Sequence, residues 1–204
     1  MRFISLSFLV LLGSCGSQEN KFVLTGKADV ADGTKIYVLQ ADQNNQPYIK
    51  DSTTVQSNNF KFQGISSTPQ ISYIQVEGVN GYVLAILENG DIKADLFKDS
   101  ISKSKVYGTK SNDDFIKYKS ETKFLVDDMN NIADVAQDAV MTGDVATAME
   151  LEKEYNSKER EVMLYEWDFI VDNLDSYMSA LLLEVFMIEN KVNKDSIIDV
   201  YESF

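Results

Sequence analysis

The sequence contains no histidine, and its 204 residues include one cysteine and two prolines. Without histidine, a Ser-His-Asp triad, a Cys-His pair and a His-ligated zinc site are all excluded. A single cysteine excludes an intramolecular disulfide and a CxxC redox pair. These absences close the commonest routes to nucleophilic, metal and redox catalysis. We therefore predict a chain that is not an enzyme and that needs no cofactor.

Positive charge is also scarce. Lys and Arg number 19 against 32 Asp and Glu, so the net charge is -13, and Arg2 and Arg160 are the only arginines. Proteins that follow a nucleic-acid backbone depend on Lys and Arg contacts to phosphate. No nucleic-acid partner is expected. The 44% hydrophobic content is nevertheless enough for one large or two small globular domains.

The N-terminus has the pattern of a signal peptide. A short basic start, Met1-Arg2, precedes an apolar run over residues 3–12, which is too short to span a bilayer. The next residues, Leu12-Gly13-Ser14-Cys15, resemble the lipobox of bacterial lipoproteins. The resemblance implies that residues 1–14 are removed and that the Cys15 thiol carries the lipid. The alternative is an ordinary secretory signal in which Cys15 is incidental.

Lipidation at Cys15 implies a location and a partner. Two or three acyl chains hold a protein firmly at a membrane, because each buried CH₂ contributes about 0.8 kcal/mol. We therefore expect a lipid-anchored protein of the bacterial cell envelope, at the outer membrane on its periplasmic face or at the cell surface. Residues 15–20 would form a polar tether, and the mature chain would have no free thiol.

Residues 21–109 have the pattern of a β domain. Asp32-Gly33 lies between two strand-like runs and predicts a hairpin. Asn80-Gly81 and Asn89-Gly90 flank an apolar run, which predicts a three-strand meander with a buried middle strand. Seven or eight short strands favour an antiparallel β-sandwich. The candidate strands are residues 22–26, 35–40, 49–56, 60–62, 71–77, 82–88, 91–97 and 104–109.

Residues 110–204 have a helical period. A first helix is predicted from an N-cap at Ser111 to Thr142, with Gly143 at its C-terminus and Asp144 opening the next. Two long helices joined by so short a turn form a hairpin. A shorter helix over residues 177–189 and a helical stretch opening at residue 194 follow. The stripe on the first helix is Phe115, Tyr118, Thr122, Leu125, Met129, Ile132, Ala136 and Ala139, and that on the second is Ala148, Leu151, Tyr155, Lys158, Val162, Tyr165 and Phe169. The predicted class is α+β: the sandwich, the hairpin and shorter helices.

Short motifs recur in a fixed order along this chain. In the β region they are residues 22–26, 50–53, 60–64, 88–92 and 106–109, and in the helical region they lie within residues 169–183. Their order and spacing resemble the N-terminal sandwich of unknown function, and the helical connector, of envelope-anchored thiol:disulfide oxidoreductases of the alkyl-hydroperoxide-reductase/thiol-specific-antioxidant type. The resemblance covers nearly the whole mature chain.

In that family a thioredoxin fold with a Trp-Cys-x-x-Cys site follows the connector, whereas this sequence stops at Phe204. No position matches the redox motif, so the resemblance assigns no catalytic residue. It implies a binding or scaffolding module whose protein partner carries the thioredoxin-like domain, or the truncated half of an oxidoreductase.

Acidic clusters offer the remaining candidate chemistry. Asp113-Asp114 and Asp127-Asp128 are helical neighbours that point about 100° apart, so we interpret both pairs as solvent-facing charge. Asp29-x-x-Asp32-Gly33 lacks the ligand spacing of a calcium loop and is interpreted as a turn. A glycosidase-like hydrolase needs no histidine, but it would need two carboxylates converging from separate elements.

Aromatic and apolar residues leave further alternatives open. Tyr37, Tyr48, Tyr73 and Tyr82 could form a platform for glycans or peptides on one face of the sandwich, although packing is the favoured role. An extracytoplasmic adhesin or glycan- or peptide-binding lipoprotein is therefore the competing hypothesis. Trp167 is expected to anchor the helices to the sheet or to each other, and the helical stripes could be partner surfaces.

Overall fold

The computed structural model describes residues 21–189, and the predicted α+β class is confirmed there. Cys15, the tether and the helical stretch predicted from residue 194 lie outside the described residues. The strands are β1 (Lys21–Ala28), β2 (Lys35–Ala41), β3 (Pro47–Thr54), β4 (Asn59–Ile65), β5 (Gln70–Val76), β6 (Val83–Leu87), β7 (Gly90–Leu96) and β8 (Lys105–Tyr107). The helices are α1 (Lys110–Thr142), α2 (Val145–Asp172) and α3 (Tyr177–Glu189), and a 3-10 turn (Ile101–Lys103) precedes β8.

The eight strands form two four-stranded sheets in a sandwich-like arrangement. One sheet has the order β4-β1-β7-β8 and the other β3-β2-β5-β6. Alternate side chains of both sheets enclose one apolar core, in which Leu24, Ile36, Ile74 and Ile92 are fully buried. The pairing of β1 with β7 is parallel, so the first sheet is mixed rather than purely antiparallel.

Two predicted hairpins are corrected by the strand pairing. The Asp32-Gly33 turn carries the chain from one sheet to the other, because β1 pairs with β4 and β7 while β2 pairs with β3 and β5. The meander is half right: β5 and β6 pair antiparallel, but after Asn89-Gly90 the chain crosses to β7 in the opposite sheet. A turn sequence specifies a bend in the backbone and not the strand that the next segment meets.

The helical hairpin follows the predicted stripes. Every stripe residue of α1 and α2 is buried or half-buried, and the two helices pack along their length. Gly143 ends α1 in the left-handed region at φ 77°, and the Asp144 side chain accepts a bond from the Thr147 N–H at the start of α2. None of the helices in residues 21–189 is both long and apolar enough to cross a membrane.

A second apolar core lies at the base of the hairpin. Phe169, Ile170, Leu183 and Phe186 are buried there between α2 and α3. The Trp167 ring lies 5.9 Å from the Phe186 ring, centroid to centroid, so the tryptophan anchors the helices to each other rather than to a sheet. Residues of the 169–183 segment therefore have a packing role in this fold.

Two tyrosine–carboxylate bonds cross between α1 and α2 beside this core. Tyr118 Oη donates to Glu166 Oε1 at 2.6 Å, and Tyr165 Oη donates to Glu121 Oε2. Burial, together with the bond to a carboxylate, raises the pKa of both tyrosines above the ordinary value. Both phenols therefore keep their protons in the fold at a pH where the unfolded chain loses them.

This difference predicts alkaline destabilisation. Below the ordinary tyrosine pKa of 10.0 the phenols are protonated in both states, so their bonds stabilise the fold fully. As pH rises above that value only the unfolded chain ionises, and the free energy of unfolding falls. We expect urea midpoints to decrease on going from pH 9 to pH 11, and to decrease less steeply in the double variant Tyr118→Phe, Tyr165→Phe. A double variant with the wild-type slope would contradict the prediction.

Candidate functional site

A cleft of about 590 Å³ opens where the edge strands β6 and β8, one from each sheet, meet helix α1. A cavity of this size and of mixed apolar and polar lining is typical of small-ligand sites. Its lining residues are Tyr73, Tyr82, Val83, Leu84, Ile101, Ser102, Ser104, Lys105, Val106, Phe115, Ile116, Lys119, Ser120 and Lys123.

The apolar walls of the cleft come from all three elements. Tyr73 and Tyr82 form an edge-to-face pair with ring centroids 4.7 Å apart on the β5–β6 side. Phe115 and Ile116 face them from the first turns of α1. Tyr82 is 61% exposed, so its ring remains available to a ligand at the mouth of the cleft.

The side chain of Asn112 fixes α1 against the edge of β6. Its Oδ1 accepts from the Ile86 N–H at 2.9 Å, and its Nδ2 donates to the Ile86 carbonyl at 2.8 Å and to Thr109 Oγ1 at 2.8 Å. Asn112 is 1% exposed. The amide thus takes the place of a neighbouring strand at that peptide, and it sets the distance between two walls of the cleft.

The carboxylate of Glu88, the residue that follows β6, completes this attachment. Glu88 Oε1 accepts from the Ser111 N–H at 2.9 Å and Glu88 Oε2 from Ser111 Oγ at 2.6 Å. A carboxylate at a helix N-terminus is stabilised by the unpaired N–H groups there. The predicted N-cap at Ser111 is wrong: Thr109 occupies that position without a side-chain cap bond, and Glu88, in the turn between β6 and β7, accepts the bonds of Ser111 instead.

The peptide edge of β6 next to Asn112 is left open. Because the Ile86 peptide groups point away from β5, the alternation of an antiparallel strand points those of Leu84 the same way. The hydrogen bonds of residues 21–189 assign no protein partner to this edge of Leu84. A backbone donor and acceptor therefore lie on the side of β6 that lines the cleft.

Three lysines line the same cleft. Lys119 and Lys123 lie one turn apart on α1, and Lys105 lies on β8 with its Nζ 5.3 Å from the centroid of the Tyr107 ring. Lys123 forms an ion pair with Asp127. Within residues 21–189 the side chain of Lys119 forms no hydrogen bond and no ion pair. Neither Lys119 nor Lys123 was marked by the sequence patterns, since each lies outside the helical stripe.

The acidic pairs do not form a site. Asp113 accepts from the Gly108 N–H while Asp114 pairs with Lys110, and Asp127 and Asp128 pair with Lys123 and Lys158 respectively. Asp32-Gly33 forms a turn, as predicted. Within residues 21–189 no group of three or more acidic or thiol side chains could hold a metal ion.

The four tyrosines do not form one platform. Tyr48 donates to Gln40, whose amide reaches the fully buried Ser72, whereas Tyr37 donates to Glu77. Only Tyr73 and Tyr82 come together, and they do so at the cleft. Of the four tyrosines considered for an aromatic binding face, only these two lie on a common surface.

The helical stripes pack α1 and α2 against each other. Apolar side chains that lie outside the stripes are nevertheless exposed at the tip of the hairpin. They are Val140, Met141, Val145 and Met149, each between 56% and 76% exposed. They lie around the α1–α2 turn, which a 33-residue helix places about 50 Å from the start of α1.

The β domain and the start of α1 are the part of the chain that matches a known protein family. Residues 22–115 match the model of a protein family described as "Domain of unknown function (DUF4369)". The match includes β1 from Phe22 onward, the other seven strands, the Asn112 and Glu88 contacts and the α1 wall as far as Phe115. No curated protein and no solved structure matches the chain. The domain of unknown function predicted from the motifs is therefore present in these residues.

Proposed function

We propose that this chain is a lipid-anchored protein of the bacterial cell envelope. We further propose that it acts as a non-catalytic binding and scaffolding module and that the cleft is its binding site. The observation that carries the proposal is the cleft itself, where an apolar wall of the DUF4369 domain meets a lysine-bearing wall of α1. Asn112 and Glu88 hold the two walls together through buried or half-buried bonds. A site prepared in this way binds a ligand with little loss of conformational entropy.

The anchor rests on the lipobox resemblance of residues 12–15, which lie six residues before β1. Replacing Cys15 with serine removes the only thiol that could take a diacylglycerol. We expect the Cys15→Ser protein to move from the membrane fraction to the soluble envelope fraction, because the acyl chains supply the membrane affinity. Labelling of the wild type with radioactive palmitate is expected to be lost in the variant. Continued membrane association of Cys15→Ser would contradict the anchor.

The scaffolding half of the proposal concerns a partner that carries a thioredoxin-like domain. Its support is the order of the motifs in residues 22–109 and 169–183, which resembles the non-catalytic half of such oxidoreductases. In this proposal the chain presents its partner's redox domain and takes no part in thiol chemistry itself. Turnover of insulin disulfides by the purified mature chain alone would contradict it.

The binding role predicts a single apolar site that a bulky side chain can fill. We expect the neutral probe N-phenyl-1-naphthylamine to bind with one molecule per chain in equilibrium dialysis. Ser120→Trp, which places an indole in the cleft, is expected to weaken binding about tenfold, or about 1.4 kcal/mol. Ser157→Trp, on the exposed surface of α2, is the matched control and should bind as the wild type does. Equal loss in both variants, or no binding at all, would contradict the site.

A glycan- or peptide-binding lipoprotein is the second candidate, and the Tyr73–Tyr82 pair favours it. An aromatic pair at the mouth of a cleft can stack against a sugar ring or a peptide side chain. In that case saturable binding of an oligosaccharide or peptide would depend on Tyr82 and would not depend on the lysines of α1. Saturable binding of an oligosaccharide or peptide that is lost in Tyr82→Ala would support this second candidate, and absence of such binding in the wild type would contradict it.

A further inference from the structure

We propose that the cleft between β6, β8 and α1 takes a small molecule that combines an apolar body with an anionic group, the anion lying beside Lys119 and Lys123. The inference rests on the proposed binding function and specifies the chemical class of its ligand.

Charge is distributed unevenly along the chain. Residues 21–109 contain nine lysines and nine acidic residues, whereas residues 110–189 contain seven basic and nineteen acidic residues. Within α1 all four lysines lie in residues 110–123, and residues 124–142 contain four aspartates and no lysine. The positive charge of this acidic helix is thus concentrated at the end that forms the cleft wall.

The two cleft lysines of α1 repel each other. Lys119 and Lys123 are four residues apart, and like charges at that spacing destabilise a helix. Asp127 compensates Lys123 from one side, but within the described residues nothing compensates Lys119. An anion placed between them would relieve this repulsion.

The remaining features of the cleft fit the other parts of such a ligand. The open peptide edge of Leu84 supplies an N–H donor on the β6 side, and a backbone N–H is a common partner of anionic oxygens. Ile101, Phe115 and Ile116 supply apolar contact. No carboxylate lines the cleft to repel an anion.

Two probes that differ only in an anionic group test the inference. N-phenyl-1-naphthylamine is neutral, and 8-anilino-1-naphthalenesulfonate has the same rings with a sulfonate. We expect the sulfonate probe to bind the mature full-length chain at least about tenfold more tightly. Its affinity should fall between 0.05 M and 0.5 M NaCl, because salt screens exposed charge, while that of the neutral probe should not.

Variants assign the preference to the lysines. In the double variant Lys119→Met, Lys123→Met the two probes should bind with nearly equal affinity, while Lys119→Arg should keep most of the preference. Asp127→Asn, which releases Lys123 from its ion pair, should tighten sulfonate binding. Lys153→Met, an exposed lysine of α2, is the matched control and should change neither probe.

The outcomes separate this inference from the proposed function. If both probes bind the wild type equally, or if the lysine variants leave the preference unchanged, the anionic class is wrong and the binding site stands. If sulfonate binding survives Ser120→Trp, the anion binds elsewhere and the inference is wrong. If neither probe binds, the proposed function fails as well. Met141→Gln at the hairpin tip should affect neither probe, and loss of binding in that variant would move the site to the tip and overturn the inference.

Discussion

Replacing Asn112 with leucine is expected to lower the free energy of unfolding by about 4 kcal/mol. The variant leaves the N–H and the carbonyl of Ile86 without partners at a site where Ile86 and Asn112 are 0% and 1% exposed. Each unpaired buried polar group costs roughly 1–3 kcal/mol, and leucine of similar volume cannot compensate for two. Urea unfolding monitored by circular dichroism measures the loss.

Two companion variants identify the cause. Ser111→Ala removes only the hydroxyl bond to Glu88 and should cost about 1 kcal/mol. Asn112→Asp keeps an acceptor for the Ile86 N–H but sets a carboxylate oxygen against the Ile86 carbonyl, so it should recover stability at acid pH, where the protonated carboxyl can donate. In hydrogen exchange the Ile86 amide should be protected in the wild type and should exchange faster in Asn112→Leu. If the free energy of unfolding of Asn112→Leu lay within 1 kcal/mol of the wild-type value, the proposed role of the Asn112 side chain would be refuted.

Replacing Gly26 with alanine is expected to cost about 3 kcal/mol, at the upper end of what overpacking a core costs. A Cβ on Gly26 would lie 2.2 Å from Phe60 Cζ and 2.9 Å from the Ala94 carbonyl oxygen. The Phe60 ring is buried in the core between the sheets, so moving it disturbs the packing there, and the Ala94 carbonyl is backbone of the neighbouring strand, so it can move only with that strand. Thermal and urea unfolding measure the change.

A double variant tests that contact directly. Phe60→Leu shortens the side chain that meets the new Cβ, so Gly26→Ala and Phe60→Leu together should be less destabilising than the sum of the single changes. Gly33→Ala is the contrasting case, since no atom lies within 4 Å of its Cβ and only its φ of 89° adds strain of about 1 kcal/mol. Simple additivity in the double variant would contradict the proposed clash.

The same contact explains why phenylalanine and glycine occur in the short motifs at residues 22–26 and 60–64. Along β1 and β4, Phe22 lies directly opposite Gly64 and Gly26 directly opposite Phe60. Each ring covers the glycine of the neighbouring strand: Phe22 lies 2.7 Å from the Cβ position of Gly64. Phenylalanine across from glycine stabilises strand pairing through this packing. The motifs at residues 22–26 and 60–64 are therefore two halves of one interaction.

The helical half was predicted well because its determinants are local. A stripe of apolar residues at three- and four-residue spacing depends only on the helix itself, and it identified the buried side of α1 and α2. Gly143 and Asp144 act within one turn of their own positions, so the end of α1 and the start of α2 were also predicted correctly.

The sheets were predicted less completely because strand pairing is not local. The positions of the strands follow from alternation and turn residues, but β1 finds its partners in β4 and β7, which lie tens of residues away in the sequence. The Ser111 cap failed for the same reason, since the competing acceptor is Glu88, which lies 23 residues earlier in the turn after β6.

The sequence patterns did not predict the cleft. Its key features are the open peptide edge at Leu84, two α1 lysines outside the stripe, and an asparagine whose amide bonds to a strand peptide as a neighbouring strand would. None of these features is marked by a pattern in the nearby sequence. Only the meeting of β6, β8 and α1 gives Lys119 and Tyr82 a common surface. The sequence marked four tyrosines as candidates, and two of them line the cleft.

The net negative charge lies in the helical half and not in the β half, so the molecule has an electric dipole moment along the hairpin. If Cys15 holds the β half, whose positive and negative charges balance, beside an anionic membrane, the acidic arm is repelled and the hairpin tip points away from the surface. At physiological salt this repulsion acts only over about 8 Å, so it orients the base of the arm, and the rigidity of the paired helices carries that orientation to a tip about 50 Å away. The anchored molecule would then act as a directed spacer that holds the exposed side chains of the tip at a set height.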